Sequence, residues 1–327
     1  MNDTGTNARK LVSLVTPFFN ESETIAIYYE KVRQVFDQMP DVALEVICVE
    51  GGSRDDTLEK LVALARRDTR FRVIELARNF GKEAALTAGL SMARGDAVIP
   101  FDADLQDPPD VLPQLIAEWQ RGAEVVLARR ANRDSDSFLK RKTAAWFYRF
   151  HNMISDTALP ENVGDFRLMD RVAVNALLSL PERQRFLKGL FAWVGFKTVA
   201  VDYTRSPRAA GRTKFSGWKL WNLAVEGITS FGTLPLRIWT YAGIAGVAAS
   251  FLCALFIITR ALLRGIDVPG HASLLVAILF MGSVQLISVG IIGEYVGRIY
   301  METKRRPLYV IRRVHGDNGG NGDNHET

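Results

Sequence analysis

From Val98 to Val111 the chain reads VIPFDADLQDPPDV, an apolar run ending in four carboxylates, Asp102, Asp104, Asp107 and Asp110, set around Gln106 and two prolines. Carboxylates this closely spaced repel one another unless positive charge sits among them. Asp102 and Asp104 stand at i, i+2 just past a strand-like segment, a spacing suited to a hard divalent cation. Mg²⁺ takes few protein carboxylates and completes its shell with water and phosphate oxygens. A cation held beside a diphosphate stabilises the charge on a departing nucleotide. Asp107 or Asp110 taken alone has a plainer reading, as the cap of the next helix. An isolated D-x-D is common; D-x-D-x-Q-D-P-P at the end of an apolar strand is far more specific.

Hydrophobic periodicity supplies the elements that position these residues. Residues 11–16, 44–49, 71–76, 97–101 and 124–128 read as strands. Residues 25–38, from about 55 to 68, 82–93 and 109–122 carry helical spacing, with Asn20 or Ser22 as the first N-cap candidate. Strands alternating with helices of this length predict βαβ units and a mainly parallel sheet. Ligands bind such sheets beyond the carboxyl ends of the strands. The Pro17 turn, the Gly51-Gly52-Ser53 turn and the aspartate cluster all fall at such ends, which places three polar loops along one rim.

The chain has 327 residues, 48% of them hydrophobic and 24% charged, with a net charge of +5 and a pI near 9.2. A basic balance is compatible with nucleic acid, anionic lipid or phosphorylated ligands. The two cysteines, Cys48 and Cys253, sit in apolar runs, so no disulfide framework is expected. The first ten residues have no apolar segment of the signal-peptide kind. Residues 238–259 and 272–292 each contain no charged residue, and each reaches the roughly 20 residues that cross a hydrocarbon core. Two transmembrane helices are therefore expected, over about 238–263 and 272–298. Lys219 and Arg237 precede the first run, and Lys304, Arg305, Arg306, Arg312 and Arg313 follow the second. The connecting loop holds only Arg260 and Arg264. This bias predicts both termini on the cytoplasmic side. Nucleic-acid binding is disfavoured, because the basic residues cluster beside membrane spans and an acidic metal site.

The segments TPFFNES, VEGGSRDDT, LARNFGKEAALTAGL, PFDADLQDPP and GDFRLMDR, with the later basic loop, resemble inverting family 2 glycosyltransferases of the GT-A fold. More narrowly, they resemble polyprenyl-phosphate glycosyltransferases, the group of bactoprenol glucosyltransferases and dolichol-phosphate mannose synthases. The likeness covers about residues 10–310. It implies a nucleotide-sugar donor, an undecaprenyl-phosphate acceptor, Mg²⁺ or Mn²⁺, and tetramers built through membrane helices. Pro17 and Glu21 would lie by the nucleotide, and Asp102, Asp104 and Gln106 near the metal and diphosphate, with Asp104 and Gln106 touching the cation most directly. Ser53, Arg78 and Lys82 join the donor set, although Lys82 can also be read as a surface residue at a helix start. One departure stands out: Gly51 occupies the position where the family carries an acidic residue that helps hold the nucleobase. Either Glu50 or Asp55 supplies that contact, or base recognition is altered.

The same resemblance makes Asp165 the catalytic carboxylate; its plainer role is a turn residue capping a helix at Arg171. A phosphomonoester has a second pKa near 6, so an acceptor phosphate needs orientation more than deprotonation. Holding two anionic substrates together requires positive charge. Arg129, Arg141, Arg205, Arg212 and Lys214 are the acceptor-phosphate candidates, with Arg130 and Arg208 beside them; Arg can grip phosphate through two parallel bonds.

The expected organisation is a flexible segment over 1–9, a GT-A domain over 10–215 and interfacial amphipathic helices over 216–236. The two spans follow over 237–302, and then a basic, finally disordered, cytoplasmic tail over 303–327. The expected activity is transfer of glucose from UDP-glucose at the cytoplasmic face of a bacterial inner membrane. UDP-modified arabinose, UDP-N-acetylhexosamine or GDP-mannose are alternative donors, and an inactive sugar-nucleotide-binding homologue is a further alternative. A processive synthase is disfavoured, since the chain lacks a Q-x-x-R-W segment and has only two candidate spans. Gly243, Gly246, Gly290 and Gly293 give small-residue spacings that permit close helix packing.

Overall fold

A computed structural model describes residues 9–131, 163–182, 187–204 and 270–316, together with single positions between 246 and 263. Its centre is an eight-stranded sheet. The strands are β1 (Lys10–Phe18), β2 (Val42–Glu50), β3 (Phe71–Leu76), β4 (Ala97–Pro100), β5 (Val125–Arg130), β6 (Val163–Asp170), β7 (Thr198–Tyr203) and β8 (Ile311–His315), in the spatial order β7-β5-β6-β4-β1-β2-β3-β8. β1 to β4 are parallel neighbours, joined through α1 (Ile25–Asp37), α2 (Thr57–Arg67) and α3 (Lys82–Met92). β6 enters antiparallel between β4 and β5, β7 lies parallel to β5, and β8 closes the far edge antiparallel to β3. The fold is thus a GT-A-like mixed α/β architecture with a mainly parallel sheet.

The central strands are apolar on both faces because both faces are covered. Val12, Leu14, Val46, Cys48, Val73 and Ile99 point into one core layer, under α1, α2 and α4 (Leu112–Gln120). Their alternates Val15, Ile47, Val49, Ile74 and Val98 point into the other, under α3 and α5 (Arg171–Ser179). α3 is buried continuously from Ala84 to Leu90. A Cβ at Gly89 would stand 2.2 Å from a Val15 methyl and 2.9 Å from a Val49 methyl, so glycine lets this helix lie directly on the sheet.

At the amino ends of the strands, Glu45 gathers several donors. Ser13 Oγ donates to it, Arg72 Nη1 donates at 2.9 Å, and the Arg94 N–H donates at 2.9 Å. This buried group anchors the end of the sheet opposite the polar loops.

Most sequence expectations for residues 9–131 match these elements. The first helix begins after Thr24, without a side-chain cap, rather than at Asn20 or Ser22. The segment from Pro109 opens as a 3₁₀ turn, Pro109–Val111, before α4, since its prolines supply no backbone donors. β6, β7 and β8 were not among the expected strands, as each depends on a distant partner.

Helix α6 (Leu187–Trp193) packs on the second layer, and α7 (His271–Thr303) runs for 33 residues. Its stretch Phe280–Thr303 is long and apolar enough to cross a membrane, and none of it is buried. The described positions between 246 and 263 are helical and, Gly246 apart, exposed. The rest of the first apolar run and the proposed interfacial helices over 216–236 lie outside the described residues. One expectation is corrected at the C-terminus: the tail reading of residues 303–327 does not hold for Ile311–His315, which returns to the sheet as β8. The Ala77 N–H extends this pairing by donating to Val310 at 2.9 Å.

Glu45→Ala is expected to destabilise the fold by about 3 kcal/mol, because Arg72 then stays buried without its carboxylate. Chemical denaturation of the purified variant reads the loss.

Candidate active site

The carboxyl ends of β1, β2, β3 and β4 meet at one rim, and the first residue of α3 reaches across it. Lys82 Nζ lies 2.8 Å from Asp102 Oδ1 and 2.9 Å from Asp165 Oδ2. Asp102 follows the end of β4, whereas Asp165 sits within β6, so the antiparallel β4–β6 pairing brings them to one place. Just before this helix Asn79 Oδ1 accepts the Gly81 N–H at 2.8 Å. Burial disfavours the Lys82 ammonium, but Asp165 and Asp102 outweigh it and raise its pKa. Burial pushes Asp102 up; Lys82 opposes that shift, and Asp165 and Asp104 add to it. Among the described residues, Lys82 supplies positive charge to Asp102 and Asp165 together. Lys82 is a surface residue at the helix start, 44% exposed, and from there it bridges two carboxylates from different strands.

The remaining aspartates of the cluster separate. Asp104 Oδ1 accepts the Gln106 N–H at 3.2 Å across a turn in which buried Leu105 adopts φ +53°. Asp107 turns into the core, where Tyr203 donates its phenol to Asp107 Oδ1. Burial and then Asp107 push that phenol up to about 12. Asp110 is exposed in the 3₁₀ turn. Among the described residues no group of three or more His, Cys, Asp or Glu side chains is arranged to hold a metal. A hard oxygen pair, Asp102 and Asp104, still fits Mg²⁺ or Mn²⁺, since such a cation takes one or two carboxylates and draws its other ligands from phosphate and water.

Beside this group lies a cleft of about 660 Å³, lined by residues that include Asn20, Glu50, Ser53, Asp55, Arg78 and Arg312. Its walls are stitched together. Glu50 accepts the N–H groups of Gly52 at 3.0 Å and Ser53 at 2.6 Å, Ser53 Oγ accepts the Asn20 N–H at 3.0 Å, and Thr57 Oγ1 accepts the Glu21 N–H at 3.1 Å while donating to Asp55. Burial pushes Asp55 up, yet its hydrogen bonds from Thr57 prevail and hold its pKa low. Glu50 and Asp55, the two candidates to replace the absent acidic side chain, thus both hold backbone in place. Gly52 has φ +76°, and a Cβ there would stand 2.8 Å from the Arg78 carbonyl carbon. Gly51 is different: its hypothetical Cβ would lie 3.2 Å from the Phe18 carbonyl, tight but without a left-handed backbone. Pro17 lies within β1, at the start of this wall.

Of the acceptor-side candidates, Arg129 faces Asp202 across the β5–β7 pair and donates to it at 2.6 and 3.0 Å. That carboxylate already holds its guanidinium fork. Arg130 instead turns toward the site: its Nη2 would lie 3.4 Å from a Cβ at Gly164, and its Nε donates to the Tyr203 hydroxyl at 3.3 Å. Arg141, Arg205, Arg212 and Lys214 lie outside the described residues. Asp165 does not cap the helix at Arg171; Asp170 does, accepting the Val172 N–H at 3.0 Å. Arg167 was missed as a site residue. It shares a face of β6 with Asp165, is buried over the Phe191 ring at 4.0 Å, and donates to the Gly164 carbonyl at 2.7 Å. Burial lowers its pKa to about 10, with Asp165 opposing. The i, i+2 spacing within GDFRLMD is the signal that could have found it.

Residues 13–178 match the model for glycosyl transferase family 2. The chain is 52% identical over 303 residues to a prophage bactoprenol glucosyl transferase homolog of Escherichia coli (strain K12), covering 93% of this chain and 99% of that protein. It is 53% identical over 301 residues to the bactoprenol glucosyl transferase of Shigella phage SfV, covering 92% and 98%. Among solved structures, glucosyl-3-phosphoglycerate synthase from Mycobacterium tuberculosis, in complex with Mn²⁺, UDP and glucosyl-3-phosphoglycerate, superposes with a TM-score of 0.47 at 21% identity. That match covers 68% of this chain and 78% of that one.

Replacing Lys82 by Met leaves Asp102 and Asp165 facing each other without the ammonium. The folded-state pKa of Asp102, already raised, then rises further above its unfolded value, so this carboxyl contributes stability at low pH that is lost as pH rises through the folded pKa. In EDTA, the melting-temperature gap between Lys82→Met and the unaltered protein is expected to narrow from pH 7 to pH 5; a gap that stays constant would refute the coupling.

Proposed function

Since this chain belongs to glycosyl transferase family 2, we propose that it transfers glucose from UDP-glucose to undecaprenyl phosphate with inversion, at the cytoplasmic face of a bacterial inner membrane. The observation that carries this reading is the meeting of Asp102 and Asp165 at one cationic position beside the cleft of Glu50, Ser53 and Asp55. Two relatives that are more than half identical along nearly the whole chain carry the bactoprenol glucosyl transferase name, which supports the acceptor class.

In this reading the cleft takes the nucleotide, with Pro17, Glu21, Glu50, Ser53, Asp55 and Arg78 along it. Asp102 and Asp104, with Gln106 beside them, hold Mg²⁺ or Mn²⁺. Bound there, the cation neutralises the negative charge that gathers on the departing diphosphate. The acceptor phosphate oxygen forms its bond to the anomeric carbon as the bond to UDP breaks on the opposite side, so configuration inverts. Asp165 orients that phosphate and takes any proton it still carries. Lys82 offsets the repulsion among carboxylates and phosphates while substrates gather. Arg129, Arg130, Arg141, Arg205, Arg212 and Lys214 supply positive charge to the acceptor, with Arg129 paired to Asp202 and Arg130 to Asp107 in the protein alone. In this reading two membrane spans bring the site to where a prenyl chain presents its phosphate, and homo-oligomers form through them; the apolar length of Phe280–Thr303 supports the second span.

The first test is transfer of label from UDP-glucose to undecaprenyl phosphate by detergent-purified protein, with Mg²⁺ or Mn²⁺ and with EDTA. Label is expected in the lipid phase and is expected to vanish with EDTA. No label, from folded protein beside an active control, would move the donor assignment to the other sugar nucleotides, and silence across them would favour an inactive homologue. Asp104→Asn is expected to fold normally and to lose metal-dependent turnover; full activity would sink the metal assignment. Asp165→Asn is expected to lower kcat by about 10²-fold or more, the usual contribution of a positioned acid–base group.

A further inference from the structure

The segment beyond α7 re-enters the donor cleft. β8 pairs with β3 as Val73 with His315, Ile74 with Val314 and Glu75 with Arg313, and then resumes as Leu76 with Ile311. Arg312 is the surplus residue of this bulge. A bulge breaks the in-out alternation of a strand and re-aims one side chain, and such devices gather beside active sites. Here the side chain re-aimed is a guanidinium. Arg312 lines the cleft that contains Glu50, Ser53 and Asp55, whereas its neighbour Arg313 does not. Its Nη1 stands 3.4 Å from Glu75 Oε1, which steers the group, and the side chain is 71% exposed, so its other N–H donors face open space.

The cleft has a chemical need that Arg312 meets. A uracil-type base presents two carbonyl oxygens flanking one ring N–H. The carboxylates of Glu50 and Asp55 can accept from the N–H but cannot donate to the carbonyls, and Gly51 offers no side chain. Arg78 donates to the Asn79 carbonyl at 3.1 Å and stacks on Phe80 with 4.2 Å to the ring centroid, so its fork is partly committed. We propose that Arg312, delivered by the strand that follows the long apolar helix, is a nucleobase-binding residue of the donor cleft, donating hydrogen bonds to the base carbonyls. This rests on the reading of the cleft as the site of a uridine-diphosphate sugar. It also ties donor recognition to the membrane-side end of the chain, because only the short stretch from Lys304 to Val310 separates α7 from β8.

The test is calorimetric titration of UDP with Mg²⁺ into the full-length, detergent-purified protein, comparing the unaltered chain with Arg312→Ala and Arg313→Ala. Arg312→Ala is expected to weaken UDP binding about tenfold, the effect of one charge-assisted contact, and Arg313→Ala to leave it unchanged. KM for the sugar nucleotide rises with kcat held, since a base contact acts equally in ground and transition states. Competition by inorganic pyrophosphate stays the same in both variants. Unchanged UDP affinity in Arg312→Ala, an equal loss in Arg313→Ala, or a parallel loss for pyrophosphate would each overturn the assignment. Thermal melting checks that the exposed substitution leaves the fold intact. Failure of the unaltered chain to bind UDP would overturn the donor reading and this one with it, and that outcome is separate from a normal parent with an unaffected variant.

Discussion

The ammonium of Lys82 between Asp102 and Asp165 is the contact on which the working rim depends. Three elements converge there: the start of α3, the end of β4 and the interior of β6. Without a cation at that point, two half-buried carboxylates would confront each other at the mouth of the sheet, and the repulsion would have to be relieved by protonation or by movement of a strand. Lys82 relieves it while leaving both carboxylates at a ligand-accessible edge. An incoming charged ligand then meets a group already balanced.

The sheet is polarised to match. At its amino end Glu45, Arg72 and Ser13 form a closed buried network whose task is to hold strands together. At its carboxyl end the loops are tied chiefly by backbone N–H groups, as at Glu50, Asp55 and Asp104. Carboxylates used this way keep lone pairs for a ligand. Rigidity is provided by the loop contacts themselves, so the cleft is shaped before substrate arrives, which spares the ordering cost of binding.

The chain also folds back on itself in a way that links the long apolar helix and the site. α7 is exposed along its apolar length, yet residues just beyond it complete the sheet at β3 and contribute Arg312 to the cleft. Ser91 in α3 meets Tyr309 at 2.9 Å between their hydroxyls, a second point of attachment on this return path. The sheet is therefore bounded at one edge by sequence that lies after the long apolar helix.

The early strands and helices were legible in the residues because each is encoded locally, by apolar runs and by 3.6-residue spacing, and a parallel βαβ series leaves few other arrangements. The aspartate cluster and the Gly52 turn stood out as polar strand-end loops for the same reason, since their spacing is a property of short stretches, whereas the GDFRLMD segment stood out only through the family resemblance. What the sequence could not decide was pairing over distance. That Lys82 meets a carboxylate 83 residues away depends on β6 inserting antiparallel beside β4. That Asp202 engages Arg129, and leaves Arg130 to face Gly164, depends on the register of β5 against β7. That residues 311–315 form a strand at all depends on the open edge of β3, for an isolated five-residue segment cannot satisfy its own backbone groups. Residue types and local spacing determined which chemistry was possible, and the long-range hydrogen-bond ladders of the sheet decided which side chains perform it together.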